Sequence, residues 1–314
     1  MDETLEFISD MRTRLFRNAP NFKAAARTLA RKHLLQDYFD FKDMSFVSPT
    51  SALVLAAIYD RLNSITGFKP YTVDEDRWHK DVYDVLCSIG FHDLLKMKPH
   101  KLEIKNISEI IIQKFISGEQ VDNVLLGRLH ENIVKSLDKE AQERILYAEP
   151  YGGMIEAALN SFNWAYPQSH SWDYPAVPRW WMTGAIDRTN RIVTVAVFDQ
   201  GVSIPVRLPS SKYWSGIEGI VARFLRRNPN EGDAGINDAT ALRIAMQLAR
   251  SATGLPQHGK GLHTMIEVAE RAKIGQLRIL SRFGHYIWRT GERPLSSQLK
   301  FPLDGTLVEW KLQL

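Results

Sequence analysis

The chain has 314 residues, 44% of them hydrophobic, which is enough to supply cores for two domains of ordinary size. Its 40 basic and 36 acidic residues give a formal charge of +4, a balance that does not require a nucleic acid as partner. A single cysteine, Cys87, excludes an internal disulfide and a zinc site built on several thiolates. The start has no signal-peptide pattern and no apolar run reaches the ~18–20 residues of a membrane helix, so we expect a soluble, cytoplasmic protein without membrane contact.

Changes in the sequence pattern divide the chain into three parts, and together they predict an α+β protein. Residues 1–35 place basic side chains among apolar ones, which predicts an N-terminal helical segment and leaves nucleic-acid binding open as an alternative. Residues 36–120 mix strand and helix patterns and predict a small α/β domain. Residues 121–314 begin with a helical lead-in and predict a second, larger α/β domain.

The small domain is predicted to contain a strand followed by two helices. Residues 38–47 alternate as a strand does, Ser48 then predicts the N-cap of a helix over residues 50–62, and a second helical spacing covers residues 78–95. This order resembles that of STAS-like domains, in which a serine or threonine at the start of the first helix can be phosphorylated. The alternative is that Ser48 only caps the helix. The positions to which the resemblance points are Ser48, Thr50 and Ser51.

The first stretch with candidate catalytic and metal-binding residues is Glu156-Ala-Ala-Leu-Asn160, on a helix predicted to begin near Pro150. A spacing of four residues puts the carboxylate and the amide on one helical face, one turn apart. The carboxylate can take a proton from an attacking water, and the amide oxygen can bind magnesium. The alternative is a solvated helix face, on which glutamate and asparagine at this spacing are common.

The second stretch is Asp199-Gln-Gly201, which follows the strand-like run 191–198 directly. An aspartate here can accept a hydrogen bond from an amino group, and the glycine lets the backbone approach a ligand closely. A strand that simply ends in a turn is the alternative.

The third stretch, Gly259-Lys260-Gly261-Leu262, precedes a helical run predicted at residues 264–271. Glycines before a helix expose backbone N–H groups to phosphate oxygens and add the positive end of the helix dipole. Lys260 could reach a terminal phosphate, or it could be an exposed lysine on a mobile loop.

Two or three strands are predicted after residue 279, with Ser281-x-x-Gly284 in the first and Gly305-Thr306 at the start of the last. Helical spacing at residues 214–227 and 236–251 predicts a structured lid between the second and third stretches.

In order and spacing, these stretches resemble the GHKL (Bergerat-fold, histidine-kinase-like) ATPases, and the resemblance covers residues 149–314. It implies a sandwich of helices on one face of a mixed, mainly antiparallel sheet, with ATP and Mg²⁺ as ligands. In that family the glutamate is the general base, the asparagine holds the metal, and the aspartate accepts a hydrogen bond from the amino group of adenine. Many members have a second glycine where this chain has Ser203. The resemblance assigns Glu156 as catalytic, Asn160 as metal ligand, and a nucleotide-binding set of Asn160, Asp199, Gly201, Gly259, Lys260, Gly261, Leu262 and Thr306.

The use of ATP is left open among three functions. The first is a slow Mg-dependent ATPase whose nucleotide state regulates a protein partner. The second is a serine/threonine kinase similar to the anti-sigma-factor kinases, acting on a STAS-like partner. The third is a non-hydrolysing module in which ATP supports assembly with a partner or as a homo-oligomer. His130 superficially resembles a sensor-kinase phosphoacceptor, but it lies much closer to Glu156 than in those kinases.

Overall fold

The computed structural model describes residues 4–6, 8, 41–66, 72, 74–99, 109–172, 175–208, 236–251 and 260–314. These residues form an α+β fold around a six-stranded sheet. The strand pairs are all antiparallel in the part of the chain that the structure describes. No helix in that part is long and apolar enough to cross a membrane.

The elements follow one another along the chain with long strands at the end. The helices are α1 (Pro49–Thr66), α2 (Lys80–Ile89), α3 (Phe91–Leu95), α4 (Asn123–Lys135), α5 (Lys139–Ala148), α6 (Pro150–Asn160), α7 (Ile204–Arg207), α8 (Asp238–Ser251) and α9 (Lys260–Arg271). The strands are β1 (Ile110–Ile112), β2 (Ile116–Gly118), β3 (Trp180–Asp187), β4 (Ile192–Asp199), β5 (Ile274–Arg289) and β6 (Leu295–Gln313). Their order in the sheet is β1-β3-β4-β6-β5, and β2 also pairs with β3.

The sheet is buried on both faces. Successive residues of a strand point to opposite faces, and Trp180 and Trp181 at the start of β3 are both fully buried, in different hydrophobic cores. One core joins the sheet to α4–α9 and contains Trp180; the other joins it to α1–α3 and contains Trp181. The described helices of residues 121–314 therefore lie on one face, and the N-terminal helices cover the other.

A buried polar contact fixes the start of α1 to the sheet. Arg278 on β5 and Glu309 on β6 are direct cross-strand neighbours, and the guanidinium Nη2 donates to Glu309 Oε2 over 2.7 Å. Thr50 Oγ1 in the first turn of α1 donates to the same carboxylate oxygen over 2.5 Å. This shared acceptor ties helix and sheet at one end of α1.

The strand predicted at residues 38–47 is wrong over 41–47, which form a turn and irregular chain; residues 38–40 lie outside the described residues. The buried side chains there are Phe41, Met44 and Val47, which are spaced by three rather than two. Phe41 packs edge-on against Trp78, with ring centroids 4.8 Å apart. Aromatic packing against the following helices overrides the alternation that suggested a strand.

Most of the predicted helices within the described residues are confirmed. The spacings that predicted helices at 50–62 and 78–95 are confirmed by α1, α2 and α3, and Gly90 separates the last two with a φ of 95°. The helical lead-in at 121–148 is confirmed as α4 and α5. The domain boundary near residue 120 stays a prediction, although β1 and β2, which precede it, pair with β3 beyond it. Most of the predicted helical segment 1–35 lies outside the described residues.

Ser48 caps α1, as the sequence suggested. Its Oγ accepts the backbone N–H of Ser51 over 3.1 Å and is also hydrogen-bonded to Ser51 Oγ over 2.9 Å. Thr50 and Ser51 are buried. A kinase therefore has no access to these two hydroxyls in this conformation.

We predict that Ser48→Ala lowers the free energy of unfolding by about 1 kcal/mol, because it removes an N-cap acceptor. Ser48→Asp keeps an acceptor and should retain most of the stability. Urea denaturation of the three proteins measures the difference. Equal stability of the alanine variant and the wild type would show that the cap contributes nothing.

Candidate functional site

Helix α6 positions Glu156 and Asn160. Met154, Ala157 and Ala158 of this helix are buried in the core, which leaves Glu156 and Asn160 half-buried on the side that faces away from it. The chain then continues as a π-helical turn, Ser161–Ala165. Such single π-helical turns are found frequently at functional sites.

The end of β4 lies directly against this π-helical turn. The N–H of Val202 donates to the carbonyl of Ala165 over 2.8 Å. A Cβ placed on Gly201 would come within 2.4 Å of both the Cβ and the carbonyl oxygen of Ala165. Only glycine fits at this approach, so the second predicted stretch packs on the π-helical turn that follows the first.

Asp199 is the last residue of β4, and its carboxyl is held mostly out of water. Oδ1 accepts the backbone N–H of Gly201 over 2.9 Å. Burial raises the pKa of Asp199 from 3.8 to about 7, and hydrogen bonds from the backbones of Gly201 and Thr306 offset this only in part. Because the folded protein holds this proton more tightly, the linked stability is fully present below about pH 4 and is lost as the pH rises through about 7.

Thr306 lies beside Asp199, as the resemblance implies, since the two residues are cross-strand partners on β6 and β4. Gly305, with a φ of 88°, allows the approach, because a Cβ there would lie 1.9 Å from the carbonyl oxygen of Asp199. The fully buried Ser281 Oγ lies 3.0 Å from Thr306 Oγ1 and accepts the N–H of Ile204, also over 3.0 Å. The hydroxyl groups of Thr306 and Ser281 therefore connect β6 by hydrogen bonds to Ile204, in the segment that follows Asp199.

Helix α9 brings the third stretch to the first. A Cβ on Gly261 would lie 2.9 Å from Glu156 Oε2 and 3.0 Å from Asn160 Nδ2, so this glycine packs directly on both predicted site residues. The predicted start of the helix at residue 264 is wrong, because α9 begins at Lys260 and includes the glycine in its first turn.

Within the described residues, the other members of the third stretch are not shown in contact with Glu156 or Asn160. Leu262 is half-buried and packs against the core that contains Trp180. Gly259 and the side chain of Lys260 lie outside the described residues, as does the predicted lid helix 214–227. The other lid helix, predicted at 236–251, is confirmed as α8.

Ser203 occupies the position of the second glycine in the family pattern. Its backbone has a φ of 74° and a ψ of 157°, a region that is essentially restricted to glycine. The side chain is 5% exposed, and its hydroxyl has no hydrogen-bond partner among the described residues. The backbone at this position therefore has a glycine-like conformation although the residue is a serine.

Sequence reasoning missed the residues that surround the loop after β4. The N–H of Gln200 donates to the hydroxyl of Tyr166 over 2.9 Å, and that hydroxyl donates to the carbonyl of Arg179 over 2.7 Å. The side chain of Gln200 contacts Arg61 of α1, 139 positions earlier in the chain. No local pattern could have predicted a contact between residues so far apart.

Trp164 and His130, two further polar or aromatic residues near the site, each pack against another side chain. Trp164 is exposed on the π-helical turn, and the guanidinium of Arg207 lies 5.6 Å from the centre of its ring. His130 packs against the ring of Tyr151, its Nε2 is buried without a partner in the described part of the chain, and burial lowers its pKa.

Comparison of the chain with protein-family models, with curated proteins and with solved structures returned no significant match. Among the described residues, no group of three or more histidine, cysteine, aspartate or glutamate side chains could hold a metal ion. A functional assignment must therefore be argued from the geometry of the site itself.

We predict that Ser203→Gly is more stable than Ser203→Ala by about 1 kcal/mol. The glycine variant is free of the backbone strain of about 1–3 kcal/mol that alanine has at this φ. The greater conformational entropy of glycine in the unfolded state offsets about 0.5–1 kcal/mol of this gain. Both variants lose the hydroxyl, so their difference isolates the backbone. Thermal or urea unfolding measures it, and an alanine variant at least as stable as the glycine variant would disprove the strain.

Proposed function

We propose that residues 121–314 are a Bergerat-type domain that binds Mg-ATP and hydrolyses it slowly, in the manner of GHKL ATPases. The observation that carries the proposal is the packing of two glycines. Gly201 lies against the end of the π-helical turn that follows Asn160, and Gly261 lies against Glu156 and Asn160. The third stretch therefore contacts the predicted carboxylate and amide directly, and the second stretch contacts Ala165, five residues beyond the amide. This proximity supports a single site built from the three stretches.

The adenine would be held at the end of β4. Asp199 offers carboxylate oxygens in a buried setting, where a hydrogen bond to an amino group is stronger than in water. Guanine has a carbonyl oxygen at that place and would face the carboxylate without a donor, which disfavours it by about 1–3 kcal/mol. Thr306 on the neighbouring strand supports the position of Asp199.

The phosphates and magnesium would be held between α6 and α9. The donor set fits, because Asn160 can supply an amide oxygen to Mg²⁺ and phosphate oxygens complete the octahedral shell that this ion prefers. Gly261 lies in the first turn of α9, a helix of 12 residues whose backbone N–H groups and positive end favour an anion at this terminus. Bound magnesium would neutralise charge that develops on the phosphates.

Glu156 is assigned as the general base for hydrolysis. It lies one helical turn from Asn160 and beside Gly261, so a water near the phosphates would be within its reach. We further propose that the nucleotide state is communicated to a protein partner. Kinase action on a STAS-like partner and ATP-dependent assembly remain alternative uses of the same site. Self-phosphorylation at Thr50 or Ser51 is disfavoured by their burial.

We predict that Glu156→Gln lowers the rate of phosphate release by about 100-fold or more while Mg-ATP binding is retained, because only the proton acceptor is lost. Glu140→Gln, which removes an exposed carboxylate paired with Arg144 on α5, is the matched control and should hydrolyse ATP at the wild-type rate. Equal phosphate release by wild type and Glu156→Gln would remove Glu156 as the base.

A pair of glycine substitutions tests the nucleotide pocket. Gly261→Ala should weaken Mg-ATP binding by about tenfold or more, because the new methyl group displaces Glu156 and Asn160. Gly152→Ala adds the same group in α6, where its nearest neighbour is Thr264 Cγ2 at 3.9 Å, and should bind as the wild type does. Isothermal titration calorimetry compares them; equal affinities would place the nucleotide elsewhere.

A further inference from the structure

Gln200 lies between Asp199 and Gly201, the two residues assigned to the adenine pocket. Its side chain points away from them, into the layer formed by the N-terminal helices α1–α3. It is 4% exposed. Its Nε2 donates to the carbonyl of Ala57 over 2.8 Å, and its Oε1 accepts from Nη1 of Arg61 over 3.1 Å. Both partners are on α1. The loop after β4 is therefore held by the helix on the opposite face of the sheet.

Arg61 is itself fixed in place. It is 5% exposed, and its Nη2 and Nε donate to the carbonyl of Pro175 over 3.0 and 3.3 Å. A buried guanidinium that keeps its charge needs several acceptors. Because Gln200 supplies one of them, the position of the glutamine side chain is tightly defined.

A second connection runs in parallel through Asp60, the neighbour of Arg61 on α1. Asp60 Oδ2 accepts from the indole N–H of Trp181 over 2.9 Å and from Nη1 of Arg179 over 2.9 Å. The carbonyl of Arg179 accepts the hydroxyl of Tyr166, which in turn accepts the backbone N–H of Gln200. Hydrogen bonds therefore connect both the backbone and the side chain of Gln200 to the same turn of α1.

We propose that Gln200 is a positioning residue, through which α1 sets the place of Asp199 and makes the N-terminal layer part of the nucleotide site. This inference rests on the proposed function. A bound adenine that fixes Asp199 also fixes Gln200, so occupancy of the site stabilises α1, and by linkage α1 stabilises the bound state to the same degree. The N-terminal layer is then the part of the chain that reports nucleotide binding.

The test compares two links between α1 and the sheet. Gln200→Ala removes the link at the nucleotide loop, whereas Thr50→Val removes the link to Glu309 at the other end of α1. Gln200→Ala deletes two buried hydrogen bonds and Thr50→Val deletes one, so both should lower the melting temperature. Only Gln200→Ala should weaken ATP binding, by about tenfold in calorimetry, with Thr50→Val within about twofold of the wild type.

Hydrogen exchange gives a second readout that a purely stabilising role would not produce. Mg-ATP should slow exchange of the amides around Ala57 and Arg61 in the wild type and in Thr50→Val, but not in Gln200→Ala. If Gln200→Ala does not fold, Gln200→Met keeps the approximate size of the side chain, removes both hydrogen bonds to α1 and should show the same loss.

The outcomes separate the two proposals. A wild-type protein that binds no nucleotide would overturn the proposed function. Wild-type binding, together with equal ATP affinities of Gln200→Ala and Thr50→Val, would overturn the positioning role alone.

Discussion

A partly buried carboxyl group at the end of a central strand constrains the loop that follows it. Asp199 keeps a raised pKa because burial outweighs two backbone hydrogen bonds. A carboxyl group with a raised pKa is found more often at functional sites than elsewhere, because its surroundings are arranged to act on its charge. An amino group on a flat base can donate a hydrogen bond to such a group, and the close approaches at Gly201 and Gly305 keep the backbone on either side in place.

The sheet can hold this carboxyl because it is covered on both faces. Trp180 and Trp181 fill opposite cores at one end of β3, and Phe198 and Val197 do the same on β4. The N-terminal helices therefore share the sheet with the helices of residues 121–314, which carry the candidate site. Thr50 joins them to the sheet at the start of α1, and the α1 contacts of Gln200 join them at the site.

Short-range patterns predicted much of this structure. The spacing of Glu156 and Asn160, the strand before Asp199 and the cap at Ser48 each depend on neighbours within a few residues, and each appears in the structure. The strand at 38–47 failed over its described part because Phe41 packs against aromatic rings more than 30 positions away, which overrides local alternation.

Contacts between distant segments lay beyond such reasoning. Nothing near Gln200 indicates that its side chain reaches Arg61, and only the fold shows that Gly261 touches Glu156. The departure of Ser203 from the pattern of the resemblance could be noted in the sequence, but its glycine-like backbone conformation is visible only in three dimensions.

Calorimetric titration of the purified protein with Mg-ATP and Mg-GTP at pH 6 and pH 8 tests the central claim most directly. If ionised Asp199 accepts the amino group, ATP should bind more tightly than GTP by about 1–3 kcal/mol. ATP affinity should rise roughly tenfold with pH, as a group with a pKa of about 7 loses its proton. Asp199→Asn should abolish that part of the rise, while pH effects of the phosphates remain. Absence of binding heat, or ATP and GTP affinities that are equal and unchanged in Asp199→Asn, would contradict the account.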